Sequence, residues 1–336
     1  MRPRRGPMLL IRLAGAALLA AGALAYAFAQ PPRASAASTT ATIPVRFGIG
    51  DQHTAMFGDP RWQALGLRIT RLNVPWDAAR DPDQLARAVD YVAAAREHGV
   101  DTLVHLTGRA PDGVVERLPS RAAYRSAVRA LVARLRPLGV HTWGTWNEAN
   151  HATQPTSHHP ERAAQFFLEL RAACAGCTIV AADVLTQGSP RSTGVASYRG
   201  WLGRFYRALG SKRSLARIVG IHNYGELIDA GGAGISRDLT RFVRRSARSA
   251  RFWITESGGI AANRSRSCSE ARQATGTRRM FSHASALAKD GIDRLYAYNW
   301  TAADCTDLHD SGLIRSDGTA RPALAVVEQQ APRFRR

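Results

Sequence analysis

Four times in this chain a helix-like stretch ends in a glycine, an aliphatic residue follows, and a strand-like run begins. The joints are Gly66-Leu67 before Arg68–Pro75, Gly99-Val100 before Asp101–Leu106, Gly139-Val140 before His141–Trp146, and Gly291-Ile292 before Asp293–Trp300. Glycine after a helix supplies the left-handed cap that turns the chain back toward a following strand. Further β-rich runs at Val45–Gly50, Thr178–Val184, Arg217–Asn223 and Arg251–Thr255 bring the strand starts to eight, spaced 23 to 42 residues apart. That spacing leaves room for a crossover helix between parallel neighbours each time.

The intervening segments carry the helical period. Leu85, Ala88, Val89 and Val92 form one apolar stripe, and Tyr124, Val128, Leu131 and Leu135 form another, with Ser120 placed to cap it. Alternating strands and helices also suit an open doubly wound sheet, but no Gly-x-Gly-x-x-Gly follows the first strand. Eight units without a phosphate loop predict an α/β fold of one domain, a closed (β/α)8 TIM barrel over residues 43–332, with a short basic tail at 333–336.

Ahead of the barrel, Arg2, Arg4, Arg5 and Arg12 precede an apolar run from Leu13 to Ala29 that ends in Ala27-Phe28-Ala29. This reads as an export signal over residues 1–29, or as an uncleaved anchor, although the run falls short of the about 20 residues of a spanning helix. A polar linker follows at 30–42. The expected location is therefore secreted or in the cell envelope, with membrane contact only through that leading segment. Without the first forty residues, which hold five Arg and no acid, 41 basic against 26 acidic residues leave +15. The positive charges are scattered along helices, not grouped into a run, so no nucleic-acid partner is expected.

Four cysteines in an exported chain suggest two disulfides. Cys174 and Cys177 lie between a helix and the strand at Thr178, whereas Cys268 and Cys305 follow the last two strands. Position favours pairing 174 with 177 and 268 with 305. A redox-active Cys-x-x-Cys belongs at a helix start, and this one sits at a helix end, so it is read as a staple.

The chemistry is carried by two glutamates in matched settings. Glu148 stands in Thr-Trp-Asn-Glu-Ala-Asn and Glu256 in Trp-Ile-Thr-Glu-Ser-Gly-Gly, each ending a β-rich run. Between them lies His222-Asn223-Tyr224, and after them Tyr298-Asn299-Trp300 and the segment Asp310-Ser311-Gly312-Leu313. In this order and spacing the chain resembles the clan A retaining glycoside hydrolases, (β/α)8 barrels whose acid/base Glu follows Asn at the end of strand 4 and whose nucleophile Glu ends strand 7.

The resemblance implies Glu148 as general acid and base and Glu256 as nucleophile, their carboxyls about 5 Å apart. It implies a carbohydrate substrate with β-linkages, Asn147 on the sugar 2-hydroxyl, His222 and Tyr224 orienting the carboxylates, and Trp300 beneath the sugar. Arg71, which shares a strand face with Asn73, is the cation expected beside Glu256. His53 and His105, after strands 1 and 3, are further pocket candidates. A barrel that binds wall glycan without turning it over, and a transglycosylase using the same glutamates, remain alternatives. His158-His159 lacks a spaced third ligand, and neither His-Glu-x-x-His nor Gly-x-Ser-x-Gly occurs, so no metal and no cofactor are expected.

Overall fold

A computed structural model describes residues 42–109, 114–186, 196–228, 232–306 and 309–335. The expected leader at 1–29 and all but Thr42 of the linker lie outside the described residues. Eight parallel strands follow: β1 (Ile43–Gly50), β2 (Ile69–Pro75), β3 (Asp101–Thr107), β4 (Thr142–Gly144), β5 (Thr178–Leu185), β6 (Ile218–His222), β7 (Arg251–Ser257) and β8 (Ile292–Tyr298). Each is followed by a helix: α1 (Pro60–Ala64), α2 (Pro82–Glu97), α3 (Arg121–Leu135), α4 (Pro160–Ala173), α5 (Tyr198–Leu209), α6 (Gly234–Arg244), α7 (Glu270–Leu287) and α8 (Pro322–Gln330).

The ladder runs without a break from β2 through β3 to β8 and on to β1. Between β1 and β2 the seam closes by other means: Thr70 Oγ1 donates to Ile49 O at 2.7 Å, and a Cβ at Gly48 would overlap the backbone of Ile69. Glycine is therefore what lets the two strands approach. The residues after α8, expected as a tail, end in a two-residue strand, Phe334–Arg335, laid parallel to the start of β1.

Gly66, Gly99, Gly139 and Gly291 all adopt positive φ, the conformation predicted for the four joints. Ser120 Oγ accepts from Ala123 N at 3.1 Å, and Tyr124, Val128, Leu131 and Leu135 are all buried against the sheet. On α2 the buried stripe is Ala88, Tyr91, Val92 and Ala95, while Leu85 and Val89 are only partly covered. The stripe is thus rotated slightly from the one the sequence suggests. Inside the barrel a separate cluster of Ile69, Leu103, Val180, Trp253 and Tyr296 fills the lower layer. Polar side chains occupy the layer above it.

Candidate active site

The cleft opens at the ends of the strands, a cavity of about 700 Å³ whose lining includes Asn73, Asn147, Glu148, Tyr224, Glu256 and Tyr298. Strand β4 is shorter than expected, so Glu148 lies beyond it in a turn, and its backbone is left-handed, with φ 46°. A non-glycine residue in that conformation is held there by its surroundings. Asn147 N donates to Leu106 O at 2.7 Å, Ala149 N to Asp183 O at 2.9 Å, and the Asn150 side chain bridges Leu185 and Ala196.

Glu256 reaches the cleft through an irregularity in β7. His222 pairs with Glu256 where the preceding pair is Ile221 with Ile254, so the strand gains a residue. An extra residue lets consecutive side chains both face inward, which strict alternation forbids. Thr255 Oγ1 donates to Asp183 and Glu256 also points in.

Around Glus 148 and 256 the predicted residues converge. Arg71 spreads its three nitrogens over three partners: Nη1 to Glu256 Oε2 at 2.6 Å, Nη2 to Asn147 Oδ1 at 2.5 Å, and Nε to His105 Nδ1 at 3.3 Å. Tyr224 donates its hydroxyl to Glu256 Oε1 at 3.0 Å, and His222 Nδ1 lies 3.0 Å from Glu148 Oε1. An oxygen of Glu148, an oxygen of Glu256 and a ring nitrogen of His222 all lie within 4.8 Å of one another. Such a triangle has cation-binding spacing, yet both Glu256 oxygens are already engaged by Arg71 and Tyr224.

Burial by itself would raise the Glu256 pKa, but the His222 and Arg71 charges outweigh it and hold the carboxyl below its usual range. Burial likewise pushes the Tyr224 phenol well above its ordinary value, keeping it a hydrogen-bond donor. Glu148 differs: its side chain is 22 % exposed and opens on the cleft, whereas that of Glu256 is 9 % exposed.

Three expected residues stand elsewhere. Trp300 is only 2 % exposed and belongs to the hydrophobic core, its carbonyl accepting from Leu313 and Ile314. Strand β8 ends at Tyr298, two residues earlier than expected, so the chain has turned away by Trp300, and Tyr298 lines the cleft in its place. His53 has a side chain 66 % exposed and bonds Asp51, because the chain turns outward after β1 into a short helix. His105 is fully buried beneath Arg71 and supports the floor without lining the cleft.

One central residue was not anticipated. Asp183, on β5 and fully buried, has Oδ2 at 3.1 Å from both His105 Nε2 and His222 Nε2. Neither contact is aligned as a hydrogen bond. Its signal was a lone acid inside the apolar run Thr178–Leu185. Both disulfides form as expected, Cys174–Cys177 at the end of α4 and Cys268–Cys305 joining the segments after β7 and β8.

No family model and no curated protein sequence matches the chain. Solved structures do match. A β-glucosidase aligns at TM-score 0.58 and 16 % identity, over 84 % of this chain and 86 % of that one. A β-glucosidase from Thermotoga maritima, solved with glucoimidazole, aligns at TM-score 0.58 and 10 % identity, over 86 % and 98 %. An endo-β-1,4-glucanase from Xanthomonas axonopodis pv. citri aligns at TM-score 0.56 and 14 % identity, over 86 % and 99 %. The chain has the (β/α)8 barrel fold. In barrels of this fold the rim at the strand ends is where chemistry is built, and there Glu148 and Glu256 meet.

Proposed function

We propose that the chain is a secreted retaining glycoside hydrolase that cleaves β-glycosidic bonds by double displacement. The observation that carries this is the approach of the Glu148 and Glu256 oxygens within 4.8 Å in unlike surroundings. Retaining enzymes hold their carboxyls about 5–5.5 Å apart, whereas inverting ones leave about 6.5–9.5 Å for a water. The β-linkage is drawn from fold neighbours named as β-glucosidases, a β-1,4-galactanase and an endo-β-1,4-glucanase. Two disulfides fit an oxidising compartment, and no helix among the described residues is long and apolar enough to cross a membrane.

Charge balance divides the roles. With Arg71 and His222 as cations and Asp183 and Glu256 as anions, the buried charges cancel, and Glu148 is left to exchange its proton through the cleft. Glu256 Oε attacks the anomeric carbon while Glu148 gives its proton to the departing glycosidic oxygen. Water then takes the sugar from Glu256, with Glu148 recovering the proton. Asn147 has its carbonyl oxygen committed to Arg71, so its amide nitrogen is the group offered to a sugar hydroxyl.

The test is incubation with a panel of 2-deoxy-2-fluoro β-glycosides bearing good leaving groups, followed by intact mass and peptide mapping. A sugar adduct on Glu256 is expected. Turnover of any β-glycoside that survives Glu256→Ala would overturn the assignment.

A further inference from the structure

Asp183 is the buried charge that the two displacement steps leave without a task. The barrel has been emptied around it: a Cβ at Gly220 on β6 would overlap Asp183 Oδ1, and a Cβ at Gly144 on β4 would overlap the His105 ring. Both strands flanking β5 thus carry glycine where the cluster needs room.

The side-chain partners come from four strands around it. Arg71 on β2 lies 3.9 Å from Asp183 Oδ2, His105 on β3 and His222 on β6 lie at 3.1 Å, and Thr255 on β7 donates to Oδ1 at 2.8 Å. Among the described residues, His222 alone lies within ion-pair distance of Asp183 and of both glutamates, with Nδ1 3.0 Å from Glu148 and 4.0 Å from Glu256. Tyr224, Tyr298 and His309 bear on Glu256 from the other side. His222 thus lies within 4.0 Å of three carboxyl groups, those of Asp183, Glu148 and Glu256, and a cationic ring is attracted to each one that is ionised. His105 is different: its Nδ1 accepts from Arg71 Nε, so that nitrogen bears a lone pair and the ring is neutral.

We propose that Asp183 is a positioning residue that keeps His222 permanently protonated, so that Glu148 and Glu256 face a fixed cation and not a titrating one. This rests on the glycosidase reading for its kinetic arm alone. The opposite displacements of the two rings agree with it. Burial opposes the His222 charge, yet Asp183 and then Glu256 push its pKa up to about 10, while burial pushes that of His105 down to about 3. Without the Asp183 charge, Glu256 would share its pocket with one constant cation, Arg71.

The test begins with the side-chain resonances of His222, followed by NMR against pH in the unmodified protein. They should report imidazolium from pH 5 to 8.5; titration of His222 near its ordinary value overturns the proposal, whether or not a glycoside is turned over. In Asp183→Asn, His222 should titrate within that range, and kcat/KM on an aryl glycoside should gain an inflection at the same pH that the unmodified protein lacks. A variant that only loses stability, with both profiles unchanged, overturns it. If Asp183→Asn fails to fold, Gly220→Ala displaces the carboxylate without removing its charge, and should move the His222 titration downward. A His222 resonance unmoved in Gly220→Ala counts against the proposal.

Discussion

Arg71 and Glu256 stand 185 residues apart in sequence and 2.6 Å apart in space, a contact that ties the second strand of the barrel to the seventh. The other two nitrogens of the same guanidinium reach Asn147 and His105, so one side chain fixes three others. A lysine carries the charge but not the planar fork. Arg71→Lys should keep the fold and lose about 100-fold in kcat/KM, because Glu256 and Asn147 are no longer held at one angle. Arg71→Met leaves a buried carboxylate without its nearest cation and should cost about 3–5 kcal/mol in urea unfolding. A stable, active methionine variant would mean that the contact matters to neither fold nor catalysis.

Glu148→Ala separates leaving groups. Loss of a general acid costs about 10²–10⁴-fold where the departing oxygen needs a proton, and far less for an activated aryl leaving group. Parallel kcat measurements on an alkyl and a dinitrophenyl glycoside check this. Equal losses would remove Glu148 from the acid role.

Stability should peak near pH 6.5, the ordinary value of an unfolded histidine. His222 has its folded pKa raised to about 10, so its contribution is complete below about 6.5 and fades as pH climbs toward that value. His105 is lowered to about 3, so its contribution is complete above about 6.5 and fades as pH falls. Asp183 and Glu256, both lowered, add to the loss only below the ordinary carboxylate range. Urea midpoints at pH 4.5, 6.5 and 8.5 should therefore trace a dome. A monotonic trend would show that the two rings do not carry opposite charge states.

The two disulfides should differ in worth. Cys268–Cys305 closes a separation of 37 residues and Cys174–Cys177 one of 3. By loop-closure entropy the first stabilises by about 4 kcal/mol and the second by about 2. Paired serine substitutions, compared by denaturant unfolding, should reproduce that order. The longer bridge also joins the segments that hold the Ala262–Asn263 and His309–Asp310 ladder beside the cleft, so its removal should raise KM more than it lowers kcat.

The barrel was legible because its joints are local: a glycine cap and a hydrophobic period can each be read within a few residues. That Asn147, His222, Tyr224 and the two glutamates come together was expected from their order at or just past strand ends, and Arg71 from the strand face it shares with Asn73. Asp183 was not, because β5 shifts register between Val180 and Ala182, so the interior-facing Val180 and Asp183 do not obey a period of two. Trp300 was misplaced for want of two residues: where a strand stops depends on the packing beyond it, and β8 stops at Tyr298. Two histidines of identical composition, 105 and 222, differ in charge because of what faces each nitrogen, which only the assembled barrel decides.

Ile43 and Phe334 pair side by side at the foot of β1, the end of the strand opposite the one that leads to the cleft. Both side chains are buried in the core, and a surface tethered at this end of the barrel would meet its floor. Coupled to a bead or displayed on a particle by such a junction, the barrel would present its mouth outward, accessible to long polymers that could not reach it from beneath.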